Sequence, residues 1–130
     1  MQLVALLPVL AGIVFVGFAL ANTRPGIMRR AWLVPACAAA LFFAFSLAAI
    51  IVEGPTGFWI DHTRNLWGNQ IWFDLLLSTS IGWVLIVPTA TAAGMRPVLW
   101  LPVVAGTGSI GFLAMLARLL YLREQNQPQG

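Results

Sequence analysis

The chain has 130 residues, 60% of them hydrophobic and 8% charged, with a formal net charge of +3 at pH 7. A soluble domain carries roughly 25% charged residues, so this composition excludes an ordinary water-facing surface. All basic residues are arginine and they are scattered, which leaves no basic stripe for a nucleic acid.

Apolar runs long enough to cross a hydrocarbon core of about 30 Å recur along the chain. The first covers about residues 3–20. The tripeptide Ala19-Leu20-Ala21 looks like a signal-peptidase site, but no basic segment precedes the run. We therefore expect a retained membrane helix. The turn ANTRPGIMRR follows, broken at Pro25-Gly26.

The second run covers about residues 31–52 and carries Ala36, Ala40, Ala44 and Ala48, a small-residue stripe on one helix face. Small residues let membrane helices approach closely. Its lone cysteine, Cys37, has no partner for an intrachain disulfide. The segment EGPTG ends the run.

A polar stretch, FWIDHTRNLWGNQIWFD, comes next. It holds Asp61, His62, Arg64, Asn65 and Asn69, with Trp59, Trp67 and Trp72 placed as an interfacial belt. Asn65 and Asn69 suit the cap of the following helix. Asp61 and His62 are candidate general acids or bases, set against the plainer reading of a capping loop. A lone histidine with no second histidine or cysteine ligand nearby makes a weak metal site, so neither a metal nor a cofactor is expected.

The third run covers about residues 71–92. Gln70, Asp74, Ser78 and Gly82 share one face, expected to point inward, and Trp83 lies near the middle. The hinge AGMRP leads to the fourth run, about residues 98–122, with Gly106, Gly108 and Gly111 and, near its end, Arg118. Each run also holds a proline: Pro8, Pro35, Pro88 and Pro102. The tail REQNQPQG is polar.

These runs predict an all-α fold, a four-helix transmembrane bundle with residues 1–130 as one domain. If the third and fourth runs are antiparallel spans, Asp74 and Arg118 lie nearly equidistant from Met95 and reach the same depth. A charge inside a membrane is costly unless paired, so the two are expected to pair. Gln70, Asp74, Ser78, Trp83 and Arg118 then form either a structural latch or the wall of a ligand pocket.

Arginine bias orients the chain. Arg24, Arg29, Arg30 and Arg96 lie in the first and third loops. Arg64 lies in the second, beside Glu53 and Asp61, and Arg118 and Arg123 near the tail. This predicts a multi-pass cell-membrane protein with its N-terminus outside and loops one and three in the cytoplasm.

Residues 58–124 carry FDLLLSTSIGW, AGMRPVLWLPVVAGTGSIG and LYLRE. Here Asp74 is followed by Ser78, Gly94-Met95-Arg96 by Trp100, and Tyr121 by Arg123 and Glu124. The pattern resembles an uncharacterised, domain-of-unknown-function family of small bacterial multi-helix integral membrane proteins. The first run is additional to that pattern. The resemblance implies a helical membrane protein and no assigned activity.

Two functional readings follow. The first is a non-catalytic accessory subunit, or a binder of a lipid or isoprenoid-type ligand. Its partners are the lipid bilayer, an apolar small ligand, and another membrane protein or a second copy. The alternative is a membrane enzyme on an isoprenoid-like substrate with Asp74 as acid or base. A multidrug exporter of this size depends on a glutamate in its first helix, and the first run has no ionisable residue.

Overall fold

Local signals in the chain place most helix ends. Asn65 is extended, and its side chain accepts a hydrogen bond from the Gly68 N–H at 2.8 Å. That satisfies one of the free donors of a first helical turn. The helix therefore begins at Leu66, earlier than the apolar run alone indicates. At its far end Gly94 adopts φ +83°. Its N–H donates to the Thr91 carbonyl, and the Met95 N–H donates to the Ala90 carbonyl. This is a Schellman ending, and buried Met95 covers buried Ala90 as that motif favours. Pro97 then opens the next helix, where its missing N–H leaves nothing unpaired.

The computed structural model describes residues 2–22 and 29–126, and among these all regular structure is helical. The described residues form six helices: α1 (Gln2–Ala21), α2 (Leu33–Glu53), α3 (Gly57–Thr63), α4 (Leu66–Ala92), α5 (Pro97–Thr107) and α6 (Ser109–Gln125). The all-α expectation is met. Two of them, α2 and α4, are long and apolar enough to cross a membrane. Arg24 and the Pro25-Gly26 turn lie outside the described residues.

The fourth run is not one helix. It breaks at Gly108, whose φ of 58° and ψ of −123° are rarely open to an L side chain. The chain doubles back there. Gly111 packs so close to the start of the break that a Cβ would lie 2.7 Å from the Val103 carbonyl oxygen. Those residues are eight apart, which would separate them by about 12 Å in a straight helix. Thr107 seals the corner: its hydroxyl donates to the Val103 carbonyl at 2.7 Å and accepts the Gly111 N–H at 2.9 Å.

Three contacts fix the sense of the helices. Trp32, just before α2, meets Tyr121 near the end of α6 edge-on at 5.6 Å. The Arg30 N–H donates to Glu124 at 3.2 Å. Hence α2 and α6 are antiparallel. The short α3 link returns the chain from the far end of α2 into α4, so α4 also opposes α2. Gly82 of α4 abuts the Phe112 ring of α6, and farther along each helix Ile86 and Ala90 share a core with Met115 and Leu119. So α6 runs parallel to α4, and α5 is the returning arm between them. With 11 residues, α5 is about 16 Å long, half a membrane thickness.

The core sits where this hairpin meets α4. It holds Ile86, Ala90, Met95, Val104, Met115 and Leu119, flanked by Trp83, Trp100, Phe112, Leu116 and Leu122. The expected alanine stripe on α2 is displaced by one position. Pro35 and Ala39 are buried, while Ala40, Ala44 and Ala48 are exposed. Pro35 starts the helix against its neighbour, and four-residue steps from it reach Ala39. Every described α1 side chain from Ala5 to Ala21 is exposed.

Candidate functional site

The polar residues gather at two ends. At the first, α3 docks on the start of α4. Gly68 makes this possible: a Cβ there would press into the Asp61 carbonyl and come within 2.9 Å of the His62 carbonyl oxygen. Thr63 donates to the Trp59 carbonyl at 2.7 Å. His62 Nδ1 donates to the Phe58 carbonyl, and its ring stands edge-on to Trp72 at 5.5 Å. Asp61 takes a hydrogen bond and ion pair from Arg64 at 2.8 Å, with the two side chains 58% and 68% exposed. So exposed a pair contributes little. Both candidate acid–base groups are thus engaged in local structure, as a capping segment requires. Asn69 donates to the Asn65 carbonyl from within the first turn of α4. Among the described residues no cluster of three or more histidine, cysteine, aspartate or glutamate side chains is arranged to hold a metal ion.

Asp74 and Arg118 do not meet. The Asp61–Arg64 pair is the one ion pair among the described residues. The fold-back at Gly108 is the cause. Taking Gly82 and Phe112 as level, Asp74 lies eight residues one way and Arg118 six residues the other, about 20 Å apart along the axis. The stripe is also turned outward: Gln70, Asp74 and Ser78 are exposed, Gly82 is half-buried, and only Trp83 joins the core. Reversing both charges, Asp74→Arg with Arg118→Asp, is therefore expected to restore nothing. Thermal unfolding should show the two single effects adding to within about 0.5 kcal/mol.

The second end is the one that sequence reasoning missed. Arg118 lies with its guanidinium 5.7 Å from the centre of the Tyr121 ring. Tyr121 in turn receives the edge of Trp32. One step along, Arg30 holds Glu124 through its backbone. Arg30 has φ +58°, the one positive value on a non-glycine residue among those described. Such a backbone costs about 1–2 kcal/mol, and strain of this kind often accompanies a binding role. The i, i+3 spacing of Arg118 and Tyr121 was a usable signal in the sequence. The approach of residues 30–32 was not, because it needs the hairpin.

No family model, curated protein or solved structure matches the chain.

Proposed function

We propose that the chain is an integral membrane protein with a non-catalytic role, an accessory subunit or a binder of a lipid-type ligand. The observation that carries this is where the apolar surface lies. Only 11% and 6% of the apolar stretches of α2 and α4 are buried. Side chains such as Leu41, Ile51, Val52 and Leu66 stand more than 70% exposed. A water-soluble protein buries its apolar helices, and large exposed apolar surfaces mark a non-aqueous or protein neighbour. Here they surround the shafts, while charge lies toward the two ends, with Asp74 and Arg118 each about two turns inside a helix.

In this reading α1, α2 and α4 cross the bilayer, and α5–α6 is a re-entrant hairpin. Non-helical backbone at membrane depth must have its polar groups satisfied by the protein. The corner supports this, since Gly108 donates to Val104, and Gly108 accepts from Phe112. Charge supports one orientation. Arg29, Arg30, Arg96, Arg118 and Arg123 share one end with Glu124, and Arg64 stands at the other with Glu53, Asp61 and Asp74. The positive-inside rule then puts the arginine-rich end in the cytoplasm. The N-terminus is outside, and the C-terminus is inside.

Asp74 as a catalytic acid or base has less support. It is exposed and lies in no carboxylate cluster.

Cysteine accessibility tests the reading. On a Cys37→Ser background, single cysteines at Thr63 and at Asn126 are treated with an impermeant maleimide in intact cells. Thr63→Cys should label at once, and Asn126→Cys only after permeabilisation. Labelling of both in intact cells would make the C-terminal segment a full span. Release of the protein by alkaline carbonate would end the integral-membrane reading.

A further inference from the structure

Resting on that membrane placement, we propose that Arg118, Tyr121, Trp32 and Arg30 form a binding site for the phosphodiester headgroup of an anionic phospholipid on the cytoplasmic face. Four observations converge. Arg118 lies about two turns inside the end of α6, so its charge sits below the interface. Among the described residues it has no carboxylate within ion-pairing distance. Its guanidinium lies over Tyr121, one turn nearer the interface, so it reaches toward the headgroups rather than into the core. Trp32 meets the same ring edge-to-face at 5.6 Å, giving the amphipathic aromatic floor common at headgroup level.

The chemistry selects a phosphate anion. A guanidinium is always charged, weakly hydrated and forked, and it matches phosphate oxygens two at a time. An unpaired guanidinium at this depth is stabilised by drawing an anion to itself. Arg30, brought to this end of α6 by its backbone N–H to Glu124, carries the second positive charge here. Glycine would suit its φ better, so keeping a side chain there at the cost of strain fits a side chain that is used. The ligand carries one negative phosphodiester and acyl chains that lie along the exposed apolar face of α2. A zwitterionic headgroup offers the same phosphate but brings its own cation, which opposes the arginines. Phosphatidylglycerol should therefore bind better than phosphatidylcholine.

The test is native mass spectrometry of the full chain released from nanodiscs containing equal amounts of the two lipids. The wild type should retain phosphatidylglycerol over phosphatidylcholine by at least about fivefold, the scale of one interfacial arginine. Arg118→Gln should abolish that preference. Arg30→Gly should weaken it while leaving unfolding unchanged or improved, because glycine accepts that backbone. Arg118→Lys should recover only part, keeping the charge but losing the fork. Arg64→Gln, at the other end, should change nothing. If Arg123→Gln and Arg118→Gln reduce the preference equally, the attraction is diffuse and the site is refuted. If millimolar inorganic phosphate displaces the lipid, the site is one for free phosphate and the lipid assignment fails. Failure of the membrane reading itself shows separately, as protein that does not incorporate into nanodiscs.

Discussion

Gly111→Val is expected to open the α5–α6 hairpin and lower stability by about 3 kcal/mol, at the upper end for overpacking a close contact. The reason is what a side chain would meet. A Cβ at Gly111 would lie 2.6 Å from the Thr107 hydroxyl oxygen, 2.7 Å from the Val103 carbonyl oxygen and 2.8 Å from its carbon. Two of these atoms are backbone. The third is held between the Val103 carbonyl and the Gly111 N–H and has nowhere to turn. Valine adds two methyl groups to that Cβ. Moving α6 away to admit them also frees the hydrogen bonds that satisfy the corner, which are expensive to lose in an apolar medium. Gly106→Ala is the control, because nothing lies within 4 Å of that position. One residue from the end of α5, it should be neutral or stabilising by less than about 1 kcal/mol. Unfolding in mixed micelles, followed by near-ultraviolet circular dichroism, reads both. If the fourth apolar run were one straight span, Gly111→Val would behave like Gly106→Ala, so equal effects would remove the hairpin.

How much of this was legible in the sequence depended on the range of the interaction. Helices α1, α2 and α4 follow from apolar runs and local breakers. The start and end of α4 are likewise encoded locally, by Asn65 and by Gly94. The reversal at Gly108 was harder. Gly106, Gly108 and Gly111 do stand out together, but small residues in a membrane helix also signal close packing, and residue type alone does not distinguish the two. The outcome hangs on Thr107 bridging Val103 and Gly111 across the break. From that one corner the other differences follow. Reversal makes α6 parallel to α4, which carries Arg118 and Arg123 to the same end as Arg29, Arg30 and Arg96. It parts Asp74 from Arg118, and it brings Trp32 onto Tyr121. A pairing inferred from depth alone is only as good as the assumed direction of the helix that carries it.

Met115→Ala should give the second large effect, a loss of about 2 kcal/mol. Met115 is completely buried, at the centre of a core shared with Ile86, Ala90, Val104 and Leu119. In a water-soluble protein such a truncation costs roughly 2–5 kcal/mol, a transfer component plus a cavity component. For helices that stay in lipid when they separate, the transfer component nearly vanishes, because the side chain is in an apolar medium in both states. What remains is the cavity, with the dispersion contacts its lining gives up. At about 24 cal/mol per Å³, a void of the size left by truncating methionine to alanine accounts for the 2 kcal/mol. The same reasoning makes Ile51→Ala nearly silent, since that side chain is 83% exposed on the shaft of α2. Met115→Leu, of similar volume, should cost less than about 1.5 kcal/mol. Reversible unfolding in bicelles measures all three. A Met115→Ala loss no greater than that of Ile51→Ala would mean that α4, α5 and α6 do not close on one core. A loss near 5 kcal/mol would mean that the separated state exposes this side chain to water, and so that the hairpin leaves the bilayer when it opens.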